Sequence, residues 1–154
     1  MYKKILILLI FINLVTHCGF TPIYLKKTNV DFSITNIKFS GDKTINRYLK
    51  SNLNNFINDD HTKQFQIEVN TKYEKNIVSK DKSAKITDYQ LISTTTFKVN
   101  YNNLVKTFTI SEKKSMNNIN DKFEEQEYER TIKQNFASTT SNKLISRLAL
   151  LNDN

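Results

Sequence analysis

Few residues in this 154-residue chain have the types and spacing that catalysis requires. The sequence contains two histidines, His17 and His61, and one cysteine, Cys18. A cysteine nucleophile needs a histidine base, and a zinc site needs several His, Cys or carboxylate ligands close together. If the segment before Cys18 is removed, only His61 remains. We therefore expect neither a Cys–His pair nor a metal site.

A dense group of carboxylates lies near the start of the last predicted helix. Negative side chains in the first turns of a helix stabilise its dipole, so a structural role is favoured over acid–base chemistry. The sequence contains no serine elbow, phosphate-binding loop or dinucleotide fingerprint. We expect no enzymatic activity and no cofactor, and the alternative is a secreted hydrolase built around His61 or these glutamates. The group consists of Glu124, Glu125, Glu127 and Glu129.

The N-terminus has the pattern of a secretory signal, because Lys3 and Lys4 precede an apolar run from Ile5 to Val15. This run is shorter than the roughly 17–25 residues of a transmembrane helix. We predict that residues 1–17 are a lipoprotein signal peptide, that Cys18 carries lipid, and that residues 18–29 are a tether. Because His17 departs from the usual cleavage site, an ordinary secreted protein and an uncleaved anchor remain alternatives.

Lysine dominates the ionisable residues. The chain has 23 Lys and Arg against 15 Asp and Glu, a net charge of +8, and loss of Lys3 and Lys4 with the signal lowers it to +6. In an exported protein this charge meets anionic lipid and lipopolysaccharide rather than nucleic acid. A diffuse excess of solvated lysines is the alternative. Cation density alone predicts a lipopolysaccharide-binding set, which comprises Lys72, Lys75, Lys80, Lys82, Lys85, Lys113 and Lys114.

The first half of the domain is predicted as a strand followed by a helix. Hydrophobic alternation from Val30 to Phe39 indicates a strand, with a bulge at residues 35–36 where the alternation slips by one position. Asp42 or Thr44 can cap a helix whose apolar residues recur every three or four positions up to about Asn58. One face of this helix is apolar and needs a sheet to pack on.

The second half is predicted as three strands and a long helix. Strict alternation from Phe65 to Tyr73 indicates a half-buried strand, and the polar stretch Glu74 to Lys85 is an exposed loop or a strand extension. The apolar series Tyr89–Tyr101 and Leu104–Ile110 flank Asn102-Asn103 and indicate a hairpin. Asp121 begins the helix with a capping box. The predicted apolar line of this helix is Phe123, Tyr128, Ile132, Phe136, Leu144 and Leu148.

These elements predict an α+β fold. A mixed four-stranded sheet with two helices packed on one face, in the order β-α-β-β-β-α, buries all the apolar faces. The opposite face of the sheet is rich in Lys, Asn, Thr and Gln. We place this single domain at residues 30–151.

The most specific motif is the seven-residue stretch Cys18-Gly19-Phe20-Thr21-Pro22-Ile23-Tyr24. It consists of Cys, Gly, an aromatic, a variable residue, Pro, an aliphatic and Tyr. With the basic signal, the order of elements and the long C-terminal helix, this motif resembles the start of the mature chain in the LPS-assembly lipoprotein family (LptE) of Gram-negative outer membranes.

The resemblance implies a lipoprotein attached by its N-terminal lipid to the periplasmic side of the outer membrane. Members of this family sit as non-catalytic plugs inside the LPS-assembly β-barrel (LptD) and help to insert lipopolysaccharide into the outer leaflet. Such a plug needs a rigid domain, a polar surface and cations along the path of the phosphates. The alternative is a lipid-anchored structural or secretion-accessory module with another outer-membrane partner.

Overall fold

The computed structural model describes residues 30–59, 61–102 and 104–151. The predicted signal peptide, Cys18 and the tether lie outside the described residues. Six elements of regular structure follow one another, with a short 3-10 turn after the first helix. They are β1 (Ser33–Gly41), α1 (Lys43–Leu53), β2 (Gln64–Lys80), β3 (Ile86–Tyr101), β4 (Leu104–Asn117) and α2 (Lys122–Leu150).

The strands form one mixed sheet in the order β1-β2-β3-β4. β1 runs parallel to β2, and its register shifts between Ile34 and Asn36, which confirms the predicted bulge. β2, β3 and β4 pair antiparallel through two consecutive hairpins. Asn102, in the second hairpin turn, has a φ of 48°, as expected for an asparagine in a tight turn. The predicted α+β fold is therefore confirmed.

Period-two alternation divides the sheet into a helix-covered face and an open face. Phe65, Ile67 and Val69 of β2 lie on the covered face beside Phe97 and Val99 of β3, and all five side chains are buried. α1 and the C-terminal half of α2 contribute to this main core. A smaller cluster, formed by Leu91, Met116, Ile132 and Phe136, extends the core under the middle of α2.

α1 begins at a capped N-terminus and ends earlier than expected. The carboxylate of Asp42 accepts a hydrogen bond from the Ile45 amide at 2.8 Å, so Asp42 is the cap. The α-helix ends at Leu53 rather than near Asn58, and residues 54–56 form the 3-10 turn. Consecutive asparagines favour non-helical backbone because their side chains compete for backbone hydrogen bonds, which explains the early end.

α2 begins at the predicted cap, because Asp121 accepts hydrogen bonds from the amides of residues 123 and 124. Two members of its predicted apolar line are wrong: Phe123 is 74% exposed and Tyr128 is 41% exposed. The buried residue in this part of the helix is instead the carboxylate Glu125. Among the described residues, neither helix has the length and hydropathy of a membrane span.

The N-terminal turns of α2 are attached to the sheet by ion pairs. Lys75 of β2 donates hydrogen bonds to Glu125 at 2.6 Å and to Glu129 at 3.0 Å. Lys133 lies 3.7 Å from Glu129 and 3.3 Å from the α1 cap, Asp42. The network therefore joins β2, α1 and α2. It lies beside the small apolar cluster, and it attaches the N-terminal turns of α2 to the sheet in place of an apolar stripe.

The ion pairs are only partly open to water, since the side chains of Lys75, Glu125 and Glu129 are 25%, 8% and 21% exposed. Hydrogen bonds from Lys122 and then from Lys75 hold the pKa of Glu125 below its usual value. Burial lowers the pKa of Lys75, but its bonds to the two glutamates outweigh this effect and raise that pKa. Both groups are thus stabilised in their charged forms by the fold.

We expect Glu125→Gln to reduce the free energy of unfolding at pH 7 by about 1.5–3 kcal/mol, because Lys75 loses a charged partner in a partly buried site. A carboxylate with a lowered pKa stabilises the fold above its unfolded pKa of about 4.3, and that contribution disappears as pH falls further. The difference between wild type and variant should therefore be smaller at pH 3 than at pH 7. Urea denaturation at both pH values measures it.

The control is Glu127→Gln, since Glu127 lies on the outer side of the helix and contacts Arg130 in an exposed pair. This variant should change stability by less than about 0.5 kcal/mol. Equal losses in the two variants, or a Glu125→Gln loss that persists at low pH, would contradict the role of the network.

Gly41 allows β1 to turn into α1 against the backbone of β2. Its φ is +89°, and a Cβ atom at this position would lie 2.0 Å from the carbonyl oxygen of Thr71. The next residue, Asp42, donates its amide to the same oxygen at 2.8 Å. Only glycine meets both the backbone angle and the close approach.

Gly41→Ala should therefore destabilise the domain by about 3 kcal/mol, through positive-φ strain plus a steric overlap with backbone. Asn102→Ala is the matched control, because Asn102 also has a positive φ but is exposed. It should cost about 1 kcal/mol. The difference between the two unfolding free energies isolates the contact with Thr71, and similar values would show that this contact is unimportant.

Candidate functional site: a lysine-rich hairpin tip

The β2–β3 hairpin ends in a short, internally bonded turn. The amide of Asp81 donates to the carbonyl of Lys85 at 2.8 Å, and the amide of Ala84 donates to the carbonyl of Asp81 at 3.0 Å. The Asp81 carboxylate accepts hydrogen bonds from the amides of Ser83 and Lys85 at 2.8 and 2.9 Å. Because its backbone and its carboxylate are held in this way, the turn has a defined shape.

Below the turn, the pairing of β2 with β3 is irregular around Ser79. The Asp88 carboxylate accepts hydrogen bonds from the hydroxyl of Ser79 at 2.5 Å and from that of Thr87 at 2.8 Å. These bonds, that of Ser79 first, hold the pKa of Asp88 below its usual value. Asp88 is therefore a charged, structurally engaged group at the base of the turn.

The cations of the hairpin tip, which we define as residues 77–88, point into solvent. Lys80, Lys82 and Lys85 are exposed, and none of them forms an ion pair within the described part of the chain. Ile77 and Val78, at the start of the tip, are 52% and 61% exposed. Unpaired ammonium groups beside exposed aliphatic side chains form a surface that suits an anionic amphiphile.

The other predicted lysines are separated from this tip. Lys75 lies on the helix-covered face, where it bonds Glu125 and Glu129, so the structure gives it a role in packing. Lys72 lies on the open face and pairs with Glu74 at 2.7 Å, in an exposed ion pair. Of the seven predicted cations, only three therefore meet at the hairpin tip.

The two lysines of β4 lie on opposite faces of the sheet. Lys113 is paired with Ile92 and faces the open side, whereas Lys114 is paired with Leu91 and faces the helix side. Both are exposed, and neither forms an ion pair among the described residues. Adjacent positions in a strand cannot share a face, so these two lysines do not form one site.

The candidates for catalysis do not come together in the described residues. His61 lies 3.8 Å from Asp31 near the start of β1, at the other end of β2 from Lys75 and the glutamates that bind it. Glu125 and Glu129 are engaged by Lys75, and Glu127 contacts Arg130. No group of three His, Cys, Asp or Glu side chains that could hold a metal occurs in the part of the chain that the structure describes.

The ion pairs could have been predicted from charged residues that stand at inward positions of β2 and α2. Glu125 and Glu129 are four residues apart and lie on the same helical face as Ile132 and Phe136. Lys75 continues the inward-facing series of β2 two residues after Tyr73. A charged residue that continues a buried series, opposite a carboxylate that continues another, indicates an ion pair between the two elements.

No family model and no curated protein matches the sequence. Solved structures do match the fold. Rare lipoprotein B from Shewanella oneidensis matches with a TM-score of 0.57 and 16% identity, covering 75% of this chain and 98% of that one. A minor lipoprotein from Acinetobacter baumannii matches with a TM-score of 0.51 and 14% identity, covering 73% of this chain and 94% of that one.

A third match is lipoprotein B from Nitrosomonas europaea, with a TM-score of 0.52 and 13% identity, covering 78% of this chain and 88% of the other. At these identities the likeness concerns the fold. The α+β fold that the order of strands and helices predicted is thus found in the solved structures of several bacterial lipoproteins.

Proposed function

We propose that this chain is an LptE-family lipoprotein, held by a lipid on Cys18 at the periplasmic side of the outer membrane. In this proposal it occupies the lumen of an LptD-like β-barrel and assists the insertion of lipopolysaccharide into the outer leaflet, without catalysis. Two independent observations support it: the domain has the fold of bacterial lipoproteins, and the seven-residue motif at Cys18 resembles the family's N-terminus.

The open face of the sheet suits a barrel lumen. Its cross-strand rows are mostly neutral and polar, with hydroxyl contacts between Thr96 and Thr109 at 3.0 Å and between Thr94 and Ser111 at 3.4 Å. The lumen of an outer-membrane barrel is polar, so hydroxyl and amide groups can bond to it without burying unpaired charge. A flat polar face opposite a packed helical layer therefore fits the role of a plug.

The hairpin tip is the ligand site in this proposal, and its unpaired lysines are the main support for it. Lys80, Lys82 and Lys85 have no ion-pair partner among the described residues, so their charge is free to bind phosphate. Lipopolysaccharide carries phosphates next to acyl chains, and the tip carries ammonium groups next to Ile77 and Val78. Pairing of phosphates with ammonium groups, and of acyl chains with aliphatic side chains, would favour this ligand over a fully polar anion.

The double variant Lys80→Glu/Lys82→Glu should lower the affinity for lipopolysaccharide by about tenfold or more at low salt, because two attractive charges become repulsive. The loss should shrink as salt is raised. Lys43→Glu/Lys50→Glu on α1 makes the same change in net charge on exposed lysines far along the chain from the tip, and should have little effect. If the two double variants weaken lipopolysaccharide binding equally, net charge alone explains the binding and the tip is not a specific site.

The partner is tested by affinity purification from detergent-solubilised envelopes. We expect the lipidated chain to bring down a large outer-membrane β-barrel, and depletion of the chain to reduce surface lipopolysaccharide. A different outer-membrane partner, with unchanged surface lipopolysaccharide, would favour the structural or secretion-accessory module. Recovery of soluble proteins alone would contradict both functions.

A further inference from the structure

Exposed apolar side chains mark the end of the domain opposite the hairpin tip. Leu104, Val105 and Leu150 are 65%, 54% and 69% exposed. Leu104 and Val105 open β4 directly after the β3–β4 turn, and Leu150 is the last residue of α2. We call this region, which also includes Val30 at the start of the described chain, the anchor end.

Strand register places the chain entry and the β3–β4 turn at the same end of the sheet. Ser33 pairs with Gln64 at the start of β2. Gln66, two residues on, pairs with Asn100 of β3, which in turn pairs with Val105 of β4. Val30 packs against the core only three residues before Ser33. The entering chain and the two exposed residues of β4 therefore lie at the same end of the sheet, along the strand direction.

The C-terminal end of α2 approaches the same end of the sheet. Lys143 pairs with Glu112, and Arg147 lies over the ring of Phe108 at 4.8 Å. The C-terminal part of α2 therefore runs along β4 towards the start of that strand. Leu150 continues this course beyond Arg147, and Leu151 packs on the main core that also includes Val30.

The chain before Val30 restricts how far this end can be from a membrane. A tether over residues 18–29 has 12 residues and spans at most about 40 Å when fully extended. β2, with 17 residues, is about 55 Å long, so the hairpin tip lies up to about 55 Å from the chain entry. If the lipid is on Cys18, the tether holds the anchor end within about 40 Å of the bilayer and sets no such limit on the hairpin tip.

The flanking charges also suit an anionic lipid surface. Lys106 follows Val105 and is exposed, and Arg147 precedes Leu150 by three residues and is exposed. Asp31, an exposed carboxylate near the chain entry, lies 3.8 Å from Lys63 and 3.8 Å from His61, and Asp59 is a second exposed carboxylate in this region. Apolar side chains flanked by basic ones are typical of surfaces that lie in the interface of a bilayer.

We propose that the anchor end is a membrane-contact surface, in which Leu104, Val105 and Leu150 enter the interface of the bilayer that holds the lipid anchor. This inference rests on the proposed lipidation of Cys18. Three apolar side chains add little membrane affinity to that of the acyl chains on Cys18, so their main effect is to orient the domain. With the anchor end on the bilayer, the β2–β3 hairpin extends away from the anchor, and its tip lies up to about 55 Å from the anchor end, the length of β2.

The chain has no tryptophan, so a single introduced tryptophan reports on its own surroundings. We would purify the full chain with its own N-terminal segment from envelopes and reconstitute it in phosphatidylethanolamine–phosphatidylglycerol vesicles. Leu104→Trp and, as a second reporter on the other face, Val105→Trp should emit at shorter wavelength with vesicles than in detergent-free buffer. Brominated lipid should quench both. Phe123→Trp is the matched control, because Phe123 is 74% exposed in the first turn of α2, at the other end of this helix from Leu150 and outside the hairpin tip, and it should be neither shifted nor quenched.

Flotation of the vesicles separates this inference from the proposed anchor. A chain that does not float, or that floats equally well as Cys18→Ser, would overturn the lipidation and the inference with it. A chain that floats through Cys18 but leaves both anchor-end tryptophans in water would overturn the membrane contact alone. Equal quenching of Phe123→Trp would show that the domain lies flat. A blue shift without vesicles would show that the N-terminal segment of the chain covers the surface. Both results would overturn the inference.

Discussion

The pairing of β2 with a neighbour on each side is the constraint on which the rest of the molecule depends. β2 bonds β1 over its first half and β3 over nearly its whole length. A strand held in this way cannot slip, since a shift of one residue would move every buried side chain to the open face. Its alternation therefore fixes which residues of all four strands meet the helices, and which remain on the open face.

The same constraint explains why lysines of one strand have different roles. Lys75 lies at an inward position and is buried by α2, where two glutamates neutralise it. Lys72, three residues earlier, lies at an outward position and remains exposed. Lys80 follows an irregular step in the register and is the last residue of β2 before the turn. Charge density along a sequence cannot separate these cases, because the parity of each position and the reach of α2 determine them.

Much of the fold followed from local patterns, and the errors have a common cause. The strands, the bulge, both caps and the order of elements depend on alternation and on capping residues, which act over a few residues. The apolar line of α2 was wrong at Phe123 and Tyr128 because the helix extends past the apolar core. Beyond Ile132, towards its N-terminus, the sheet offers Lys75 rather than an apolar surface, so Glu125 is buried and the aromatic residues are not. The site required the three-dimensional position of each lysine.

The length of the β2–β3 hairpin gives the domain two ends with different surfaces. The main core lies near the chain entry, the apolar packing becomes thinner towards Leu91 and Met116, and ion pairs replace it at Lys75. Past that point β4 pairs with β3 as far as Asp88, and the rest of the hairpin has its own hydrogen bonds and the Asp81 and Asp88 contacts. A tip that contributes little to the core can carry unpaired cations without cost to the fold. The opposite end packs the helices on the sheet and receives the chain at Val30, and its exposed apolar groups, Leu104, Val105 and Leu150, lie beside the basic residues Lys106 and Arg147.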